Sequence, residues 1–171
     1  MSKFLVLTII ADDKPGIVET LAATIADQDG NWLESRMSHM AGKFAGILRI
    51  SIPAENVNSL QIRLSLLATQ GISVGVEVCA EAGESGTTKD LTLNLVGNDR
   101  PGIVKEVSQA LAKMGVNVLE LTTNCESAPM SADLLFKTEA HLRVPKGFDA
   151  DILTDALESI SNDLMVEITL D

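Results

Sequence analysis

The sequence predicts an α+β protein made of two βαββαβ units, each an antiparallel sheet with helices on one face. Three observations predict it. First, Asp13-Lys14-Pro15-Gly16-Ile17-Val18 returns as Asp99-Arg100-Pro101-Gly102-Ile103-Val104, a displacement of 86 residues from Pro15 to Pro101, with Lys for Arg the only difference. The same displacement carries Asn31 onto Asn117, Leu33 onto Leu119 and Glu34 onto Glu120. Second, stretches with the two-residue period of a half-buried strand alternate with apolar stripes at helical spacing. Third, residues 81–89 are polar and contain Gly and Ser, which is linker composition. The expected organisation is a first domain over residues 1–80, a linker over 81–89 and a second domain over 90–171.

In the first unit the pattern places strands near residues 4–10, 31–39, 45–52 and 73–80. Helices are expected from about Pro15 to Gln28 and from about Glu55 to Gln70, the latter carrying Val57, Leu60, Leu64 and Leu67 on one side. In the second unit Leu91, Leu93 and Leu95 alternate with Thr92 and Asn94. Ile103, Val104, Val107, Ala110, Leu111 and Met114 form a helical stripe. A long alternation runs from Leu134 to Val144, Ile152, Leu153, Ala156, Leu157 and Ile160 form a second stripe, and Val166, Ile168 and Leu170 close the unit. Ile52-Pro53 answers Val144-Pro145 at a displacement of 92 residues, so the second copy carries six more residues, placed around Glu126 to Ser131. One wet sheet face and one helix-covered face in this order match the ferredoxin-like arrangement. Two copies are too few for a solenoid, which needs at least about three.

Composition narrows the function. The 171 residues include 13 Lys+Arg against 24 Asp+Glu, a formal charge of −11, which repels a phosphate backbone and argues against direct nucleic-acid binding. Four Phe, one Trp and no Tyr leave little for base stacking. Cys79 and Cys125 form no CxxC pair, and His39 and His141 sit in no metal spacing. Gly83, Gly86 and Lys89 lack the Gly-Lys-Ser/Thr ending of a phosphate loop, and no GxSxG or GxGxxG occurs. No cofactor, no metal and no enzymatic activity are therefore expected. The apolar run from Phe4 to Ala11 is followed at once by Asp12 and Asp13 with no cleavage pattern, and no stretch approaches the roughly 20 residues of a membrane span. A soluble, cytoplasmic protein is expected.

Each first strand hands over to its helix through Asp12-Asp13-Lys14-Pro15-Gly16 or Asn98-Asp99-Arg100-Pro101-Gly102. Pro suits a first helical turn, and Asp13 and Asp99 could cap it. The following Gly would weaken a helix by about 0.8–1.0 kcal/mol relative to Ala, which suggests close approach of something to the backbone. Free helix-start amides would attract a carboxylate and the adjacent Asp an ammonium group, the two charges of a free amino acid. A purely structural helix start, with Gly clearing packing space and Asp as a cap, is the reading that the local residues by themselves favour, and both stay open at this point.

These motifs resemble those of ACT domains, small βαββαβ modules that commonly bind amino acids and regulate other proteins. The resemblance rests on Asp-(Lys/Arg)-Pro-Gly-Ile-Val in both copies and on Asn31-Trp32-Leu33-Glu34-Ser35-Arg36 and Asn117-Val118-Leu119-Glu120 opening the second strands. With the turn Met40-Ala41-Gly42-Lys43-Phe44, the first copy is similar to the glycine cleavage system transcriptional repressor family, in which two ACT units occur without a DNA-binding domain. The resemblance implies an amino-acid site between the first loop and the start of the second strand, often completed by a neighbouring unit. By position its residues would be Asp12, Asp13, Gly16, Ile17, Val18 and Asn31, with Asn98, Asp99, Gly102, Ile103, Val104 and Asn117 in the second copy. It also implies a small amino acid as ligand, glycine foremost, a DNA-binding transcriptional activator as protein partner, and homo-oligomer formation. The competing reading is a ligand-silent module for oligomerisation or partner docking.

Overall fold

The computed structural model describes residues 1–80, 86 and 88–171; most of the expected linker, residues 81–85 and 87, lies outside the described residues. The chain divides into two compact units. The first contains β1 (Ser2–Asp12), α1 (Ile17–Ala26), β2 (Asn31–Met40), β3 (Lys43–Pro53), α2 (Val57–Leu66) and β4 (Ile72–Cys79). The second contains β5 (Thr88–Asn98), α3 (Ile103–Lys113), β6 (Asn117–Ser127), β7 (Leu134–Pro145), α4 (Ala150–Glu158) and β8 (Met165–Leu170). Each unit is thus βαββαβ, and its strands form one four-stranded sheet, ordered β2-β3-β1-β4 in the first and β6-β7-β5-β8 in the second. Every pairing is antiparallel. This is the α+β, ferredoxin-like pair of units that the repeat and its periodicities predict.

The alternation on β1 and β3 works as expected. Leu5, Leu7 and Ile9 point to one face with Leu48, Ile50 and Ile52, and α1 and α2 cover that face with Ile17, Leu21, Ile25, Leu60 and Leu64. The second unit repeats this with Leu91, Leu93 and Leu95 under Val107, Leu111, Leu153 and Leu157. At about 1.5–3 kcal/mol for each fully buried aliphatic side chain, these layers are the main force holding each unit. Of the six extra residues of the second copy, four fall between β6 and β7, where residues 128–133 replace the two-residue turn Ala41-Gly42, and the other two lengthen β6 and β7 by one residue each.

Some boundaries move. Thr88 and Lys89, expected in the linker, are paired in β5 with Pro145 and Val144. The second helix is not one continuous α-helix over Glu55–Gln70. Short 3-10 turns at Ala54–Asn56 and Leu67–Gln70 flank α2, because terminal amides and carbonyls tighten onto i+3 partners where α-helical ones run out. Gly71, with φ +80°, then ends it.

Candidate functional site

The two helix starts differ from expectation in an informative way. Neither Pro15 nor Pro101 lies in the helix, and neither Asp13 nor Asp99 caps it. The capping position belongs to Gly16 and Gly102, at φ +92° and +86°. A side chain at either would meet nothing within 4 Å, so it is the left-handed backbone, not close approach of another group, that calls for glycine here. Glycine offers no side-chain acceptor, so the first-turn amides of α1 and α3 are not capped by the residue that precedes them.

The Asp that does not cap is used otherwise. The amide of Asp13 donates to the Gly42 carbonyl (3.0 Å), and that of Asp99 to the Leu134 carbonyl (2.8 Å), fastening each loop to the hairpin beside it. The Asp13 carboxylate then lies 3.6 Å from His39 Nδ1 on β2. At the equivalent place, 86 residues on, β6 carries Cys125. Local desolvation, together with Asp99, pushes the Cys125 thiol up.

The other acidic candidate, Asp12, is engaged with Lys43 across the β1–β3 pair, and this contact holds its carboxyl below the usual aspartate value. It is therefore not an unoccupied acceptor for an ammonium group. Asn98, its counterpart, donates its backbone amide to Asp163 Oδ2 at 2.6 Å. In the second unit Arg100 pairs with Glu106 in the first turn of α3, and the Ile103 amide reaches the Arg100 carbonyl at 3.3 Å. In the first unit Lys14 instead reaches the Gln70 carbonyl at 2.8 Å.

A depression of about 230 Å³ opens at the first helix start, lined by Asp13, Lys14, Gly16, Ile17, Val18, Glu19 and Phe44. Four of the six first-unit candidates, Asp13, Gly16, Ile17 and Val18, therefore share one cavity. Asn31 does not. It pairs with Ser51, which faces Phe4 near the beginning of β1, whereas the loop follows Asp12 at the other end. Eight residues of strand, roughly 26 Å, separate the two places. Asn117, opposite Arg143 and hence beside Asp90, is displaced from the Asp99 loop in the same way. Lys14, Glu19 and Phe44 were missed by sequence reasoning; Phe44 could have been found from Phe136, its counterpart at the 92-residue displacement. Among the described residues no cluster of His, Cys, Asp and Glu could hold a metal ion, and no helix is long and apolar enough to cross a membrane.

A duplicated ferredoxin-like sheet, with a glycine-started helix and an acidic loop in each copy, defines a class of small tandem α+β modules. Within that class the chain belongs to the ACT domain family, whose model matches residues 3–77 and 89–141. Over its full length it is similar to an unknown protein from Galdieria sulphuraria, with a TM-score of 0.87, 25% identity and 99% of that chain covered. It is also similar to a protein described as a candidate glycine cleavage system transcriptional repressor, with a TM-score of 0.73 at 18% identity, covering 100% of this chain and 98% of that one. At that identity the second likeness speaks for the fold. No curated protein sequence matches the chain.

Proposed function

We propose that this protein is an amino-acid-responsive regulatory protein that acts through protein contacts, with the depression at the start of α1 as its principal ligand site. The observation that carries this reading is the gathering of Asp13, Gly16, Ile17 and Val18 around one cavity of about 230 Å³, room for several water molecules and so for a small zwitterion. Uncapped amides at the helix start would receive the carboxylate, and Asp13 the ammonium group. Ile17, Val18 and Phe44 would bound the side chain, and crowding there favours a small ligand, glycine first. The second unit is the weaker candidate, since Arg100 and Glu106 neutralise each other at its helix start. The partner of the chain would be a protein, as its acidity suits no DNA contact, and a DNA-binding activator of glycine cleavage genes is the partner that the resemblance to the repressor family implies.

Thermal melting with a panel of amino acids tests this. At about 100 times Kd a ligand adds roughly 2.7 kcal/mol, enough to move the transition by several degrees. Glycine or another small amino acid is expected to shift it, and Asp13→Ala to weaken binding at least tenfold while leaving the unliganded melting point nearly unchanged. A flat panel would favour a ligand-silent docking module. Equal affinity in Asp13→Ala would remove Asp13 from the site.

A further inference from the structure

The duplication supplies an internal control, because one fold is built twice with different outer faces. On the side of the first sheet away from the helices, β1 presents Phe4, Val6 and Ile10, and β3 presents Ala45 and Ile47 beside them. Ile10 and Ile47 are 52% and 50% exposed, and Phe4, Val6 and Ala45 are half-buried. At the corresponding positions of the second sheet Phe4, Val6, Ala45 and Ile47 become Asp90, Thr92, Lys137 and Glu139; Ile10 alone keeps an apolar counterpart, Val96. The fold therefore does not need apolar residues there, and the first copy carries them for another reason.

Charge points to the occupant. The outer face of the first sheet holds three cations, Arg36, Lys43 and Arg49, and three carboxylates, Asp12, Glu34 and Glu77. Arg49 pairs with Glu34 at 3.0 Å and lies 5.5 Å from the centre of the Phe4 ring. The outer face of the second sheet sets Lys137 and Arg143 against five carboxylates. On a chain of charge −11, the first face is thus a neutral one, apolar at its middle and carrying both signs around it. Lys43 and Arg49 are already neutralised by Asp12 and Glu34 of their own unit, so two copies can meet there without net repulsion. Four strands about 4.8 Å apart and some eight residues long give a face of about 500 Å², so two faces bury about 1,000 Å², the threshold for a biological interface and a size that suits a weak, concentration-dependent dimer. The geometry points to the outer face of the first sheet as a self-association surface, on which a second copy of this chain docks by the same face. This is independent of the ligand site, which lies at the loop following β1.

Sedimentation of the full chain from about 1 to 100 µM tests it. The parent is expected to sediment as a dimer of the 18.2 kDa chain at the upper concentrations. Val6→Thr with Ile47→Glu, which installs the residues of the second copy, should weaken association at least tenfold with an unchanged far-UV spectrum. If that pair fails to fold, Ala45→Lys alone should give the same weakening. Asn94→Asp, on the outer face of the second sheet, should leave the dimer intact. A parent that stays monomeric throughout would overturn the inference, as would a folded variant of the first sheet that associates like the parent, or dissociation by Asn94→Asp.

Discussion

Gly16 and Gly102 show how a single residue type sets the character of the loop. Their motif reads as a capped helix start, yet their left-handed backbone makes them the capping residues themselves and leaves the neighbouring Asp free for other contacts. A left-handed conformation costs an ordinary L-residue about 1–2 kcal/mol, and Asn bears it better than Ala. Because a Cβ at Gly16 meets no atom within 4 Å, the whole penalty is conformational. Gly16→Ala should therefore lower stability by about 1–2 kcal/mol and Gly16→Asn by clearly less, as read by chemical denaturation followed at Trp32. Equal losses would mean that something other than the backbone angle selects glycine. The role of Asp13 was not legible for a related reason: its amide is bound to the Gly42 carbonyl, a partner nearly thirty positions away, and no local rule names such a contact.

Among elements, the strands and helices were legible because burial follows period: the residues that alternate or recur at helical spacing are those that the two cores contain. What was not legible was distance along a strand. Asn31 opens β2 just as its motif suggests, but antiparallel pairing through β3 sends that end of β2 away from the loop after β1. The elements are also clipped together by exposed carboxylates, and these respond to acid. Arg143 holds Asp90 below the ordinary aspartate value of 3.8 across β5 and β7, and Ser161 and the Asn98 amide do the same for Asp163 between the end of β5 and the turn before β8. In the first unit the corresponding shift belongs to Asp12, through Lys43. A carboxylate whose folded value is depressed stabilises the fold above its unfolded value, and that contribution disappears as pH falls through the folded one. Acidification below about pH 4 should therefore weaken both units, the second more, since two such clips lie there. Far-UV ellipticity is expected to begin its loss at higher pH than the fluorescence of Trp32, the single tryptophan, which reports the first unit alone. Asp90→Asn with Asp163→Asn should shrink the gap; a coincident pair of transitions unaffected by those changes would dismiss the clips as contributors.

For the molecule as a whole, charge is distributed unevenly over the duplication. Residues 1–80 contain six Lys and Arg against eight Asp and Glu, whereas residues 88–171 contain seven against fourteen. The first copy is nearly neutral and the second carries most of the acidity. Such a second unit attracts a basic protein surface, with an association rate that falls as salt rises, and repels a polyanion at every salt concentration where charge matters. Nucleic-acid binding needs several phosphates neutralised at once, each by a Lys or Arg that can reach the backbone. Here Arg49, Arg100, Lys137 and Arg143 are already paired with carboxylates of their own unit. The full chain should therefore fail to retard a short DNA duplex at low salt even at about 10 µM protein, a thousandfold above the concentrations at which specific DNA-binding proteins bind. Retardation that fades as salt is added would reveal an ordered basic surface, and the regulator would then have to be understood as touching DNA itself instead of acting through another protein.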